Sequence, residues 1–166
     1  MIIIAVGSNL SGQWGNSPYD MCQEAIKHLQ FELQCAMNIS TWYKTKPIPS
    51  SSQPFYINGV VAFEKKIDAL ALLLLLNNIE KKSGRKRIYR NEARPLDLDI
   101  IDFNRQIICK GPKLVTPHLR LHLRKFVLYP LRDVCPQWVH PVLNKSVNQL
   151  IEALPDQHII PYKSRT

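Results

Sequence analysis

The sequence predicts an α+β sandwich of the ferredoxin-like kind, in which helices pack on a mainly antiparallel sheet. The main observation is the order of hydrophobic patterns, which is strand, helix, strand, loop, strand, helix and strand, the β-α-β-β-α-β order of that fold. The second is composition: 166 residues, 45% of them apolar and 21% charged, suffice for the core of one globular domain. We therefore expect a single domain over residues 1–166, with a C-terminal helical extension and a wrapping tail at residues 136–166.

The first half of the chain begins with a strand and an amphipathic helix. Residues 2–6 are rich in β-branched side chains, and the turn-forming sequence at 7–9 follows them. A helix is predicted over 17–33, because Ser17 is a suitable N-cap, proline follows it, and apolar residues recur at helical spacing. Residues 37–44 alternate in polarity and predict an extended segment.

The second half repeats this alternation of strands and helices. Asp68 is a plausible N-cap for a leucine-rich helix, and Gly84 is a natural C-terminal stop for it. Proline and serine discourage regular structure at residues 45–54, ahead of the strand that precedes this helix, and a run of charges follows the helix. The predicted order is a loop over 45–54, a strand over 56–63, a helix over 68–84, a charged loop over 85–95, a buried strand over 96–103, and its short partner strand over 105–109.

The composition argues against secretion and membrane insertion. The longest apolar run, residues 69–76, is far shorter than the ~20 residues of a membrane span. The first residues lack the basic region and the cleavage site of a signal peptide. The four cysteines show no metal-binding spacing, as is usual for reduced thiols in the cytoplasm. We therefore expect a cytoplasmic protein without a membrane partner.

Positive charge is the strongest signal in the composition. Lys and Arg number 22 against 13 Asp and Glu, which gives a net charge of +9 and favours polyanionic partners. Many of these cations fall within residues 81–94, directly before Asp97 and Asp99. Cations beside a carboxylate pair suit a metal ion with phosphate better than they suit a nucleic-acid groove. We therefore expect no nucleic-acid partner.

The Leu96-Asp97-Leu98-Asp99-Ile100 segment carries the candidate chemistry. In a strand, residues i and i+2 share a face and lie about 6.5–7 Å apart. Two carboxylates at this distance repel each other unless a cation lies between them, and Mg²⁺ prefers such oxygen ligands. An exposed strand face with two ordinary aspartates remains the alternative, but the neighbouring arginines favour a site for metal and phosphate.

Two other classes of protein share parts of this pattern. A nucleic-acid-binding module of the ferredoxin-like type would use the same positive charge, but it needs a pattern of exposed aromatic residues on the sheet, and none is readable here. A D-x-D transferase that uses a nucleotide sugar would share the metal ligands, but its catalytic domain usually exceeds this length.

A series of short motifs makes the sequence resemble a known family, the 6-hydroxymethyl-7,8-dihydropterin pyrophosphokinases. These enzymes transfer a pyrophosphoryl group from ATP to a pterin alcohol in folate biosynthesis, and their fold is the ferredoxin-like sandwich. The resemblance covers about four fifths of the chain. The motifs lie, in order, at residues 3–10, 43–45, 53–58, 79–80, 84–87, 94–100, 116–118 and 126–131.

The resemblance implies roles for particular side chains. Asp97 and Asp99 match aspartates that bind two Mg²⁺ ions, and with Arg85 and Arg94 they are the expected catalytic residues. ATP is the implied co-substrate, and a monomer is expected. The expected pterin-binding residues are Thr45, Ile48, Tyr56, Asn58 and Phe126. The expected ATP-binding residues are Asn77, Glu80, Arg87, Arg94, Ile100, Lys113, His118 and Arg124, and Arg90 matches a further cation that helps to cover the triphosphate.

The chain departs from the family pattern at a few positions. Asn91 stands where the loop before the aspartates commonly has an aromatic residue. Asn77, Lys46 and Val115 replace a frequent glutamine, a frequent proline and a threonine on the adenine side, respectively. These changes surround intact aspartates and arginines, so the resemblance implies that activity is retained.

Overall fold

The computed structural model describes residues 1–84, 93–111 and 114–164, and its centre is an antiparallel sheet. A single 3₁₀ turn at Leu121–Leu123 precedes the third helix. The strands are β1 (Ile2–Ser8), β2 (Asn38–Ile39), β3 (Tyr43–Thr45), β4 (Tyr56–Phe63), β5 (Asp97–Phe103), β6 (Ile108–Lys110), β7 (Leu114–Thr116) and β8 (Ile159–Pro161). The helices are α1 (Pro18–Leu33), α2 (Ala69–Lys82), α3 (Lys125–Val134) and α4 (Val147–Glu152).

The order of strands in the sheet confirms the predicted fold. The main sheet runs β5-β1-β4-β3-β8, and β2 pairs with β4 beside β3. Every pair in it is antiparallel; Ile4, for example, lies between Val61 and Ile100. If β2 and β3 are counted together as the second predicted strand, then β5, β1, β4 and β3 are the fourth, first, third and second predicted strands. This is the order in which the strands of a ferredoxin-like sheet lie side by side.

The two faces of the sheet carry separate hydrophobic clusters. Ile2, Ile4 and Val6 point toward α1 and α2, because alternate residues of a strand face the same way. Ile3 points to the opposite face, where α3 and α4 pack. The caps predicted for the first two helices are present: the Ser17 side chain accepts the N–H of Asp20, and Asp68 accepts those of Leu70 and Ala71.

One prediction about the strands is wrong, and another gains detail. Residues 105–109 do not pair with the strand before them; β6 pairs with β7 in a separate two-stranded sheet. The physical reason is a turn at Asn104 and Arg105, both with positive φ, where Asp102 accepts the N–H of Arg105 at 2.7 Å. The extended segment at 37–44 forms two short strands, since Ser40 between them bonds to Val60 through both its N–H and its hydroxyl oxygen.

The tail at residues 136–166 contributes a strand that the sequence pattern did not predict. Its helix α4 packs against α3, as expected of a helical extension. Beyond α4, β8 pairs with β3 and extends the sheet by one strand, with Ile159 opposite Thr45. Because the pairing is antiparallel, the residues just before β8 lie beside those that follow β3.

Candidate active site

A cavity of about 540 Å³ lies over the sheet on the face where α3 packs. Its walls come from β1, β3, β4 and β5, from the loop after β3, and from the segment that leads into α3. Such a concave site with a few polar side chains is the usual form of a small-molecule site. It brings together many of the residues singled out in the sequence: Thr45, Ile48, Tyr56, Asn58, Arg94, Asp97, Asp99, His118, Arg124 and Phe126.

Asp97 and Asp99 project from β5 into this cavity, as the strand spacing predicts. Leu98 and Ile100 point the other way, into the core beneath α1 and α2. On the neighbouring strand, Ala5 lies opposite Asp99. Gly7 lies opposite Asp97 in the same ladder. These small residues of β1 leave room above the sheet beside the carboxylates.

The two carboxylates lie close enough to repel each other. Burial, and next the negative charge of Asp97, raise the pKa of Asp99 to about 7, although Arg124 and Arg94 oppose this shift. Arg94 Nη1 lies 3.3 Å from Asp97 Oδ1. A divalent cation between the carboxylates would relieve the repulsion, and two carboxylates suit Mg²⁺ whose remaining ligands are phosphate oxygens and water. Among the described residues no group of three or more metal-binding side chains occurs.

Two cationic side chains and one histidine surround the pair. The Nε of Arg94 is buried and has no hydrogen-bond partner among the described residues, so it is a donor available to a ligand. The pKa of His118 falls to about 4 because of burial and of the positive charges of Arg124 and Arg120. Its Nδ1 accepts the N–H of Arg120 at 3.2 Å, which leaves the hydrogen of a neutral ring on Nε2. His118 is therefore a neutral donor at pH 7.

A second set of residues lines the cavity nearer β3. Asn58 Nδ2 donates to Thr45 Oγ1 at 2.8 Å, and both side chains are buried. Gly7 lies beside Asn58, where a Cβ would come within 2.7 Å of Asn58 Oδ1. Phe126, in the first turn of α3, has the guanidinium of Arg124 5.3 Å from its ring centre. These residues combine an aromatic face with amide and hydroxyl groups, which suits a flat heterocycle.

The two sets define two sides of the cavity. The carboxylate side consists of Arg94, Asp97, Asp99 and His118, which lie on or next to β5. The loop side consists of Thr45, Ile48, Tyr56, Asn58 and Phe126, which come from β3, β4, the loop between them and α3.

Asn9 joins the two sides; the sequence placed it in a turn and in the first family motif, but gave it no role of its own. Its Oδ1 accepts the N–H of Arg94 at 2.9 Å, and its own N–H donates to the Arg94 carbonyl. Its Nδ2 donates to Gln53 Oε1 at 3.2 Å, and Gln53 Oε1 also accepts the hydroxyl of Tyr56 at 3.3 Å. Asn9 is 2% exposed, so these bonds are shielded from water. It holds the segment before the aspartates against the loop after β3.

Three predicted ATP-binding residues do not line this cavity. Glu80 is buried in α2, and its Oε1 accepts the N–H of Leu98 at 2.8 Å, between the two aspartates. The side chain of Ile100 lies in the core on the other face of the sheet, so a ligand could meet only its main chain. Asn77 is exposed on α2. Their proposed roles stay predictions, and Arg85, Arg87, Arg90, Asn91 and Lys113 lie outside the described residues.

The cavity also includes residues that were not predicted to belong to it. Arg120 lies at its mouth beside His118, and the cluster of basic residues after position 110 was the available signal for it. Gln53 stands in one of the recognised motifs, and Lys46 is one of the departures from the family pattern. The loop residues Pro47, Pro49 and Ser51 carried no signal except a composition typical of loops.

A ferredoxin-like sheet with paired carboxylates, arginines and an aromatic pocket in one cavity defines an enzyme that transfers a phosphate-containing group from a nucleotide. A sequence model of the 7,8-dihydro-6-hydroxymethylpterin-pyrophosphokinase (HPPK) family matches residues 3–136. The chain belongs to this family. Members of the family transfer pyrophosphate from ATP to 6-hydroxymethyl-7,8-dihydropterin in folate biosynthesis, and the chain is accordingly a diphosphotransferase.

Individual relatives agree with this family. The chain is 34% identical over 158 residues to a 2-amino-4-hydroxy-6-hydroxymethyldihydropteridine pyrophosphokinase of Haemophilus influenzae, covering 95% of this chain and 94% of that protein. The protein of the same name from Pseudomonas aeruginosa is 33% identical, with the same coverage. The folic acid synthesis protein fol1 of Schizosaccharomyces pombe is 30% identical over 97% of this chain, which spans 21% of fol1.

Solved structures support the fold. A Plasmodium falciparum HPPK-DHPS structure superposes with a TM-score of 0.68 at 17% identity, over 91% of this chain and 43% of that one. At this identity the likeness concerns the fold alone. The comparisons thus confirm the resemblance, the fold class and the enzyme class predicted from the sequence. Of the helices in the described part of the chain, none has the length and apolarity to cross a bilayer.

Proposed function

We propose that the family reaction takes place in the cavity described above, with the polyphosphate on its carboxylate side and the pterin on its loop side. The observation that carries this assignment is the placement of Asp97 and Asp99 on one face of β5, in a cavity that also holds Arg94, Arg124 and Phe126. Asp97 and Asp99 would hold two Mg²⁺ ions. Bound Mg²⁺ supplies charge neutralisation for the phosphates and makes the pterin hydroxyl easier to deprotonate.

The described cations and His118 complete the polyphosphate site. The pterin hydroxymethyl oxygen attacks the β-phosphorus, and the bond from this phosphorus to the oxygen of the departing AMP breaks. Arg94 and Arg124 offset the negative charge that develops on AMP, and the Nε2 hydrogen of His118 donates to a phosphate oxygen. The resemblance adds Arg85, Arg87, Arg90 and Lys113 to this group, with Asn77, Glu80 and the main chain of Ile100 nearer the nucleoside.

The loop side suits the flat, polar pterin ring. Phe126 and Tyr56 offer aromatic faces for stacking, and the buried amide of Asn58 can hydrogen-bond to the edge of the ring. Thr45 fixes the orientation of that amide, since its Oγ1 accepts one of the two Asn58 hydrogens. Ile48 supplies apolar contact from the loop after β3. Positioning of this kind, rather than covalent chemistry, provides most of the rate in phosphoryl-type transfer.

The remaining proposals concern the state of the protein. A single domain over residues 1–166, a monomer and a cytoplasmic location are all consistent with the family. Binding of nucleic acid or membrane is not part of the proposed function, because Arg94, Arg120 and Arg124 line the same cavity as the two aspartates.

The test identifies the products made from ATP and 6-hydroxymethyl-7,8-dihydropterin in the presence of Mg²⁺. We expect AMP and the pterin diphosphate in equal amounts, no AMP when the pterin lacks its hydroxyl group, and no reaction in EDTA. Formation of ADP with a pterin monophosphate would refute pyrophosphoryl transfer. Nucleotide hydrolysis that does not depend on the pterin would refute the assignment of the loop side.

A further inference from the structure

The segment at residues 156–161, here called the strap, packs against segments that line the cavity, although no role has been assigned to it. It lies beyond residues 3–136, over which the family model matches. Three consecutive residues of the strap contact three segments that contribute to the cavity wall: the start of α3, the loop after β3, and β3 itself. The strap therefore connects walls that are distant from one another in sequence.

Gln157 holds the main chain on both sides of Arg124. Its Oε1 accepts the N–H of Lys125 at 2.8 Å. Its Nε2 donates to the carbonyl oxygen of Leu123 at 3.0 Å. Arg124 is the N-cap residue of α3, and its own side chain does not cap the helix. The amide of Gln157 thus satisfies one of the unpaired N–H groups at the start of α3 and fixes the extended backbone of Arg124.

The next two residues of the strap contact the opposite wall. The ring of His158 packs edge-on against Phe55, with 5.7 Å between the ring centres. Ile159 pairs with Thr45 at the end of β3. Phe55 and Thr45 flank the loop that carries Ile48. The strap therefore sets the distance between this loop and the turn that carries Arg124 and Phe126.

We propose that Gln157 is a positioning residue for pterin binding, acting through the main chain that presents Arg124 and Phe126. This inference rests on the proposed function, because it assumes that the loop side of the cavity binds the pterin. A displacement of Phe126 by a fraction of its stacking distance weakens pterin binding, whereas the carboxylates on β5 are held by the sheet and do not depend on the strap.

The test compares Gln157→Met with Gln149→Met. Methionine has nearly the length of glutamine and removes only the hydrogen bonds. Gln149 is a matched control, because its Oε1 accepts the N–H of Ser146 at the start of α4, in a capping box. Gln149 is not one of the residues that line the cavity. Both variants lose an amide at a helix N-terminus, and both are expected to lower Tm.

The two variants are expected to differ in pterin binding. For Gln157→Met we expect the KM for pterin, and the Kd for pterin with a non-hydrolysable ATP analogue, to rise about tenfold, because the turn that presents Phe126 loses two supporting hydrogen bonds. The KM for ATP should rise less than the KM for pterin, because the sheet still holds Asp97 and Asp99 while Arg124 shifts together with Phe126. Gln149→Met should leave both KM values unchanged. If Gln157→Met lowers Tm but leaves the pterin KM within about twofold of wild type, Gln157 is only a helix cap and the inference is wrong.

Two further measurements keep the result decisive. If Gln157→Met does not fold, His158→Ala is tested in its place, because it removes the strap contact with Phe55. We expect His158→Ala to raise the pterin KM severalfold, and an unchanged pterin KM would refute the inference. Wild-type turnover is measured first. Absence of AMP formation by the wild type would refute the proposed function, whereas normal wild-type turnover with an unaffected Gln157→Met would refute the role of Gln157 alone.

Discussion

The two sides of the cavity are built in different ways. On the carboxylate side, Asp97 and Asp99 are two residues apart in one strand, and the sheet holds that strand through its ladder with β1. On the loop side, Thr45 and Asn58 come from different strands, and Phe126 comes from a helix that follows much later in the chain. A local periodicity fixes the first arrangement, and long-range contacts assemble the second.

This difference predicts how each side responds to change. The carboxylate side should tolerate changes elsewhere in the protein, because its geometry follows from strand pairing. The loop side should respond to residues that never touch the substrate, such as those that hold the start of α3 or the loop after β3. Functional residues on loops depend on such supporting contacts more than residues on strands do.

The largest effect is expected on the carboxylate side. Asp97→Asn or Asp99→Asn removes a proposed Mg²⁺ ligand, and we expect kcat to fall by at least about a thousandfold, since a metal ion supplies several kcal/mol of charge stabilisation. The thermal stability of Asp99→Asn should hold or rise slightly, because the change relieves repulsion between like charges. For Asp97→Asn this gain is offset by the loss of the ion pair with Arg94, so its stability should stay close to that of the wild type. Steady-state AMP release and a thermal melt measure the two quantities.

Asp102→Asn in the same strand is the matched control for these variants. Asp102 is buried and accepts the Trp138 indole N–H and the Arg105 N–H, both at 2.7 Å. We expect this variant to lose stability but to keep most of its kcat when folded. If Asp102→Asn were as inactive as Asp99→Asn at a temperature where both are folded, the strand as a whole, rather than the two cavity aspartates, would carry the activity.

A smaller effect, on both sides at once, is expected at Asn9. Asn9→Ala removes the bonds to the Arg94 main chain and to Gln53, so both Arg94 and the loop after β3 lose a support. Misplacement of this kind costs on the order of tenfold to a hundredfold in kcat/KM, and we expect both substrates to be affected. Kinetics with each substrate varied in turn provide the measurement.

Ser8→Ala, at the adjacent position, is the control for Asn9, because within the described part of the chain Ser8 Oγ donates only to the Leu10 carbonyl, at 3.0 Å. We expect Ser8→Ala to keep near wild-type kinetics. An Asn9→Ala variant that raises the KM of one substrate and leaves the other unchanged would show that Asn9 does not join the two sides.

The smallest effect on catalysis is expected at Glu80, beneath the carboxylate side. Glu80→Ala leaves the buried N–H of Leu98 without this acceptor, which should cost about 1–3 kcal/mol of unfolding free energy. Glu80→Gln keeps an acceptor oxygen and should recover most of that loss. Urea denaturation measures the free energies. Equal stability of Glu80→Ala and wild type would show that Glu80 does not support the strand.

The sequence predicted those features that local patterns determine. Ser17 and Asp68 begin helices because their side chains accept N–H groups three or fewer residues away. The alternation of Asp97, Leu98 and Asp99 predicted that the two aspartates share one face of the strand and that Leu98 points to the core on the other face. For the individual pterin and ATP contacts, the sequence pattern alone gave no roles, and the resemblance to the family supplied them.

Features that depend on distant pairing could not be predicted in this way. β8 is short and half exposed, so it has no alternating pattern, and its partner Thr45 lies more than a hundred residues earlier. Gln157 contacts the start of α3 across a sequence separation of 32 residues, and one glutamine in a tail gives no sign of this. The error at residues 105–109 has a different, local origin, because the turn at Asn104 and Arg105 directs β6 toward β7.

The most direct test of the difference between the two sides is equilibrium binding of each substrate to Asp97→Asn and to Phe126→Ala. The binding of pterin and of a non-hydrolysable ATP analogue is measured by calorimetry with Mg²⁺ present. For Phe126→Ala we expect pterin affinity to fall by about 1–3 kcal/mol, the range for loss of an aromatic contact, with nucleotide affinity almost unchanged. For Asp97→Asn we expect the Mg²⁺-dependent part of nucleotide binding to be lost, while pterin affinity without nucleotide is kept. If Phe126→Ala weakened the nucleotide and spared the pterin, or if both variants weakened both ligands equally, the division of the cavity into a polyphosphate side and a pterin side would be wrong.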